Sequence, residues 1–496
     1  MRYRQVRPSD IRRNMADRAE AFLRQCGGGH LVWPGHSRYA GRMAAVETQT
    51  IQPIPLDQRH GRARDLFTLW FGANLTTLTI ATGALCTAVF HLTLAASIVA
   101  IVAGNLFGAI FMALHAAQGP RLGVPQMVQT RGQFGARGAL AIIVFVAIMD
   151  VGFFASNLAL GAQSLHSALG FVPPDVAVAL VAILGTLATI FGHDLIHAFT
   201  RWISWLCGVA IAVCFAWILW HHPHLDLSGG RGTMAIGALL GALSTSALWQ
   251  IAYAPYVSDY SRYLPLETGG RAAFWASYIG CALGSIIPMV LGALLGGLFP
   301  GQDISASLVA ATGPFAYLAV PILTLSLAVA SAISLYCGTL STIAVVQTFA
   351  PSWQARAGAR AFVSSLLALV AVAIALLAGP RFMETYTDFL LLLLYVMVPW
   401  TAINLVDYYL IRHGSYDVAS FLRADGGIYG LYNGPALVCY ALGILVQIPF
   451  VSNELYTGPM VALLGGADLS WIVGLVVVAP LYYLAMRTPR RRLSVA

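Results

Sequence analysis

The sequence predicts an all-α polytopic membrane protein of twelve transmembrane helices, and three observations carry that reading. The first is composition: of 496 residues, 58% are apolar and 10% charged, with a mean hydropathy of +0.75, outside the range of soluble domains. The second is spacing, because the apolar residues fall into stretches of about 20, the length that crosses a hydrocarbon core. They lie near 66–90, 92–117, 138–165, 174–192, 199–221, 234–257, 271–299, 313–345, 360–380, 388–411, 433–451 and 468–487. The third is charge. All 28 basic residues are arginine; with the N-terminus in the cytoplasm, 26 fall on inside segments and only Arg231 and Arg381 outside, the bias of the positive-inside rule. A missed span would scramble that bias, so both termini are expected in the cytoplasm and the chain in the cell membrane. The net charge of +8 then reports topology, and no arginine stripe interleaved with aromatics on a polar surface points to nucleic acid.

Residues 1–45 are Arg-rich, carry "CGGGH" and show no apolar period, so they are expected as a disordered cytoplasmic leader, with Met43 as an alternative start. Residues 46–490 form a single transmembrane domain whose short loops leave no soluble domain. The seven cysteines are scattered without a CxxC pair and read as small buried residues. An intramembrane enzyme would need HExxH, GxSxG or paired carboxylates; the chain has none of these, so no enzyme, cofactor or metal is expected. The nearest metal-like pattern is "GHDLIHAF", with His193 and His197 four apart at a helix end but no third ligand at a convincing spacing. "HHPH" at 221–224 ends the fifth span and carries no more.

Two spans are interrupted in corresponding ways. The first holds "WFGANLTT", with Gly72 and Asn74 in the apolar run, and the sixth holds "WQIAYAPY", where Pro255 removes a backbone donor. Broken helices five apart mark the solute site in proteins built from two inverted repeats, because the freed amides and carbonyls face a cavity near the midplane. Ionisable residues within spans are few. Asp194, Asp259 and Asp407 fall near inner ends and Asp388 near an outer end; Asp150 lies about 12 residues into the third span, roughly 18 Å deep at 1.5 Å per residue. A carboxylate there costs about 2.5–3.5 kcal/mol or more on insertion and normally faces an internal cavity. Phe153, Phe154 and Asn157 follow within two turns, so acid, aromatic and amide share a face. A protonated structural aspartate bonded to a neighbouring helix is the other reading of Asp150.

Four segments, "LWFGANLTTLTIATGAL" (69–85), "GPRLGVPQMVQTRGQFG" (119–135), "APYVSDYSRYLP" (254–265) and "PWTAINLVDYYLIRHGSYD" (399–417), resemble the nucleobase:cation symporter family 1, purine and cytosine permease branch, from about Val46 onward. The resemblance implies a LeuT-type 5+5 inverted repeat: 66–221 and 234–411 as five-helix repeats, 433–487 as two peripheral helices. It also implies a secondary active transporter that imports a nucleobase by cation symport through alternating access. Trp249, Gln250 and Tyr253 would meet a planar heterocycle, with Asn74, Thr76, Asp150, Phe153, Phe154, Asn157 and Ser334 around it. Carbonyls of Gly72 and Leu75 would face a cation, with Ser331 and Tyr336 on helix eight. A sodium site of this type needs paired helix-eight hydroxyls, and this chain has Ala328, Val329 and Ala330 there. That favours H⁺ over Na⁺, with Asp150 as the proton carrier. Asp259 and Arg262, three apart, are expected to pair as an inner gate, and the serines and Tyr260 to satisfy the broken backbone. The partners implied are a small-molecule heterocycle, the coupling cation and the bilayer, with no nucleic acid and no obligatory protein partner. Two other readings stay open: an importer of hydantoin, allantoin or a vitamin-precursor heterocycle, and a non-transporting membrane ligand receptor.

Overall fold

The computed structural model describes residues 47, 50–222, 234–378, 382–453 and 456–487. The leader with Met43, the HHPH run beyond His222, Arg231, Arg381 and the side chain of Asp388 lie outside them. Each of the twelve apolar segments forms a helix or a broken pair. In order they are α1a (Ala63–Ala73) with α1b (Thr77–Ala88), α2 (Leu94–Ala116), α3 (Leu140–Ala168), α4 (Pro174–Phe191), α5 (His193–His221), α6a (Ile236–Ile251) with α6b (Val257–Ser261), α7 (Gly269–Leu298), α8 (Ala316–Phe349), α9 (Ala357–Ala378), α10 (Phe382–Leu405), α11 (Gly434–Gln447) and α12 (Ser470–Arg487). Among the described residues, eight helical spans pass for membrane crossings on length and composition alone, or nine with α1a and α1b taken together.

The first break has a local cause. Asn74 closes α1a, and its Nδ2 donates to the Trp70 carbonyl at 2.7 Å, one of the carbonyls a helix end leaves open. Thr76 then starts α1b as its N-cap, its hydroxyl accepting from Thr79 N at 3.3 Å. The two halves are bent by 59°. In the sixth span α6a ends at Ile251, residues 252–256 run as turns around Pro255, and α6b resumes at Val257. There Tyr253 N, Ala254 N and Tyr256 N bond three residues back.

Packing divides the helices into two groups. α7 packs on α1b and α2, and α6a packs on α2; in the second group α3 and α8 form the most extensive pair, flanked by α4 and α9. Shifting each label by five exchanges the α1b–α7 contact with the α6a–α2 contact and leaves α3–α8 unchanged, as in two interlocked inverted repeats. Glycines permit the first two contacts. A Cβ at Gly292 would lie 1.8 Å from the Ile80 carbonyl oxygen, and one at Gly108 2.2 Å from that of Ala247, so the backbones approach as only small residues allow.

Candidate functional site

The two breaks meet at a buried cavity. Ala73, Thr76 and Leu78 line it from α1, Phe153 and Asn157 from α3, Trp249, Ala252, Tyr253 and Tyr256 from α6, and Ala330, Ile333 and Ser334 from α8. Aromatic rings dominate it. Tyr253 meets Trp249 edge-on at 6.2 Å and Tyr256 at 5.7 Å, while the buried Trp70 supports Tyr253 at 5.5 Å. The lining side chains leave little free room between them, so a flat ring enters only when they part.

Asn74 joins the breaks without lining the cavity. Its Oδ1 accepts from Trp249 Nε1 at 2.7 Å, Tyr253 Oη at 2.8 Å and Ser285 Oγ at 2.9 Å. It therefore sets the pose of two cavity aromatics. Of the residues expected around a ligand, Thr76, Phe153, Asn157, Trp249, Tyr253 and Ser334 come together there. Three do not. Gln250 turns toward α2 and α7, its Nε2 donating to Asn105 Oδ1 at 2.7 Å and Ser285 Oγ at 2.9 Å. Phe154 is buried in a separate apolar cluster with Val181 and Ala328. Asp150 is fully buried one turn from Phe153, toward the arginine-rich end, and both its oxygens lack a hydrogen-bond partner among the described residues. Ala73, Leu78, Ala252, Tyr256, Ala330 and Ile333 are the lining residues that sequence reasoning missed.

The expected cation set is only partly assembled. The Gly72 carbonyl accepts from Leu75 N at 3.1 Å, so one of its lone pairs is used within the break. A Cβ on Gly185 would lie 3.1 Å from Ser331 Cβ, which puts Ser331 on the α4 side of α8 while Ala330 faces the cavity. The paired hydroxyls that sodium would need are absent from Ala328–Ala330, as the residue types require.

The inner end needs the larger correction. Asp259 and Arg262 do not form a side-chain ion pair: Asp259 Oδ1 accepts from Gln126 N at 2.8 Å, and Arg262 Nε reaches the backbone carbonyl of Asp259. The acid that faces Arg262 at this end is Glu47, ahead of α1a. Its Oε2 is 2.8 Å from Arg360 Nη1 of α9 and accepts from His193 N at 3.0 Å; its Oε1 accepts from Tyr336 Oη of α8 at 3.0 Å and from Tyr263 Oη, with Arg262 Nη2 at 3.9 Å. Burial opposes ionisation of Glu47, but the Arg360 and Arg262 guanidiniums and these hydrogen bonds outweigh it and hold its carboxyl below the usual range. Gly192 makes room, since a Cβ there would stand 2.1 Å from Glu47 Oε2. The serines do not serve the broken backbone of the sixth span: Ser258 and Ser261 donate to the last carbonyls of α2, at His115 and Ala116, over 2.8 and 2.7 Å. Nor does Tyr260, as its hydroxyl has no partner among the described residues.

Interrupted helices that meet at a buried cavity, with a buried cluster of ion-paired side chains at one end, define a membrane transporter of the LeuT type. The chain belongs to the family of permeases for cytosine/purines, uracil, thiamine and allantoin, whose model matches residues 53–474. It is 40% identical over 448 residues to the putative purine-cytosine permease YxlA of Bacillus subtilis, covering 89% of this chain and 96% of that one. Identity to the purine-cytosine permease fcyB of Emericella nidulans is 25% over 481 residues, 91% of each chain. Among solved structures, Mhp1, a nucleobase-cation-symport-1 family transporter, superimposes in its closed conformation with bromovinylhydantoin bound at a TM-score of 0.73 and 20% identity, over 89% of this chain and 96% of that one. Its inward-facing form gives 0.66 at 19% identity, over 89% and 95%.

Proposed function

We propose that this permease imports a nucleobase of the purine or cytosine type by symport with a proton, and that the cavity between the helix breaks is its binding site. The observation that carries the reading is the lining. Faces of Trp249, Tyr253 and Phe153 suit a flat ring, while Thr76, Asn157 and Ser334 offer hydrogen bonds to its edge, and a buried polar edge left unpaired rejects the wrong ring. The names of the relatives support the same substrate class.

Asp150 supports the proton. An ionised carboxylate with no partner at that depth costs several kcal/mol, so the closed state carries it neutral. It stands one turn from Phe153 and packs against Gly338 of α8; there it takes a proton with the substrate and releases it when the inner end opens. The arginine bias supports a cytoplasmic position for that end and for both termini. Access alternates as α1, α2, α6 and α7 rock against α3, α4, α8 and α9, with Glu47 locking the closed inner end through residues of both groups.

The test is uptake of labelled cytosine, adenine, hypoxanthine and uracil into proteoliposomes in sodium-free buffer, with allantoin and a hydantoin as competitors. Accumulation driven by an inward proton gradient and abolished by a protonophore is expected. A strict sodium requirement removes the proton assignment, preference for a hydantoin removes the nucleobase, and binding without accumulation makes the protein a receptor.

A further inference from the structure

The segment leading into α1a and the first turn of α5 bring three metal-ligating side chains together at the arginine-rich end. His60 Nε2 stands 2.9 Å, and His193 Nδ1 3.1 Å, from the same oxygen, Asp194 Oδ1. The three ligand atoms all lie within 4.8 Å of one another. The His60 and Asp194 side chains are 26% and 32% exposed, so solvent and ions reach the cluster. The helical pair His193 and His197, suggested by spacing alone, packs ring to ring at 4.3 Å, but it is His60, distant in sequence, that converges with His193 and Asp194.

The hydrogen-bond chemistry of His60 points to a cation. Its Nδ1 is 2.9 Å from the Gln58 carbonyl oxygen, which only accepts, so Nδ1 carries a hydrogen. In the neutral ring Nε2 is then a lone pair facing a carboxylate oxygen, an arrangement stable only with a positive species between them. A backbone carbonyl on the far ring nitrogen is also the usual support of a metal-bound imidazole. The rings are held in place: His193 stacks on Tyr263 at 4.0 Å and 28°, and His60 N donates to the Tyr263 carbonyl at 2.7 Å. Tetrahedral ligands about 2.0–2.1 Å from a metal are roughly 3.4 Å apart, so the two sides at Asp194 Oδ1, 2.9 and 3.1 Å, need to open by a few tenths of an ångström, while the side between the two imidazoles lies within 4.8 Å. Two imidazoles and one carboxylate select borderline transition ions over Ca²⁺ or Mg²⁺.

We infer that His60, His193 and Asp194 form a binding site for a divalent transition-metal ion of the zinc class, with water as the fourth ligand, and that the bound ion ties the α1a approach to α5 and holds the inner end closed. The second half rests on the transport reading above; the binding site does not. Purified full-length protein is titrated with Zn²⁺ by calorimetry and with Co²⁺ by absorption. His60→Gln and Asp194→Asn should each lose one equivalent, or weaken it by more than about 100-fold, since even outer-shell changes cost 10–100-fold. His60→Cys should keep the equivalent and add a thiolate-to-cobalt charge-transfer band in the near ultraviolet. Zn²⁺ enclosed in proteoliposomes should stop uptake by the wild type and spare His60→Gln. Equal stoichiometry and Kd in the wild type and both variants, or a folded His60→Cys without the new band, overturns the site and assigns the triangle to a second proton on His60. Metal binding that leaves uptake unchanged overturns the gate-closing role alone. A wild type that never transports fails the transport reading, and the titrations still judge the site.

Discussion

The cavity and the arginine-rich end are both buried, yet they treat their carboxylates in opposite ways. At this end Glu47 Oε1 accepts from Tyr263 and Tyr336 and Oε2 from His193 N, with Arg360 Nη1 in ionic contact at 2.8 Å although its Nε and Nη1 have no hydrogen-bond partner among the described residues, and Arg262 reaches the Thr50 carbonyl at 2.7 Å as well as two tyrosines. At and beside the cavity, Asn157 Oδ1 and both oxygens of Asp150 have no hydrogen-bond partner among the described residues. A buried polar group without a partner costs about 1–3 kcal/mol. The difference teaches where the molecule closes on itself and where it waits for something from outside: the gate supplies its own counter-charges, and the cavity leaves groups for a substrate and a proton.

The sharpest way to break that contrast is at Asp150. Asp150→Asn keeps size and neutrality but cannot release a proton, so accumulation against a gradient should collapse while exchange of labelled for unlabelled substrate persists, because exchange needs only reorientation of the loaded carrier. Both are measured in the same proteoliposomes. Full accumulation by the variant would return Asp150 to a structural role.

Next in size is the gate. Glu47→Ala leaves Arg262 and Arg360, both fully buried, without their acid, a change that costs about 3–5 kcal/mol in buried pairs. Because the pair exists only while the inner end is shut, the loss should appear as an inward-open population, read as faster labelling of a cysteine placed at Tyr256 from the inner side. Labelling at the wild-type rate would show that Glu47 does not hold the gate.

These two residues also mark what was legible in the sequence. Span lengths and the two breaks are local signals, and they point to a helical membrane protein with its cavity between the breaks, while the repeat architecture was implied by the family resemblance. Asp150 was legible because depth alone makes a carboxylate conspicuous. Faces were harder. Phe153 and Phe154, and likewise Trp249 and Gln250, are neighbours separated by about 100° around a helix; with α3 and α6a packed on several sides, apolar periodicity does not say which of two adjacent residues meets the cavity. Glu47 was invisible for another reason. Its partners Tyr263 and Tyr336 lie 216 and 289 residues away, and only two buried arginines in want of an anion hint at it. His60 joins His193 and Asp194 across 134 residues from Asp194, beyond the reach of any spacing rule.

Smaller effects sharpen the account of the cavity. Trp249→Ala or Tyr253→Ala should weaken nucleobase binding by about 1–3 kcal/mol, the range for a base stacked on an aromatic ring, measured by competition against labelled substrate. Tyr253→Phe keeps the ring and removes only the hydroxyl bonded to Asn74 Oδ1 at 2.8 Å, so about 0.5–1.5 kcal/mol is expected. If the two Tyr253 variants bind equally, the hydroxyl rather than the ring face carries the recognition, and stacking at this position is lost from the mechanism.

The smallest expected effect tests where the gate begins. Residues 1–42 show no apolar period with which to dock, and the acid that organises the inner end is Glu47, whose backbone N–H bonds the Phe191 carbonyl at 3.2 Å. Removing 1–42 should therefore leave uptake unchanged at equal membrane abundance, whereas removing 1–49 takes Glu47 with it and should reproduce the faster labelling and altered uptake of Glu47→Ala. The pair of truncations separates two roles that a single one would merge. Equal loss of uptake in both would place a functional element within the arginine-rich leader itself. Equal uptake in both would mean that Arg262 and Arg360 are held by the tyrosines and carbonyls around them, and that the closed end does not depend on its acid.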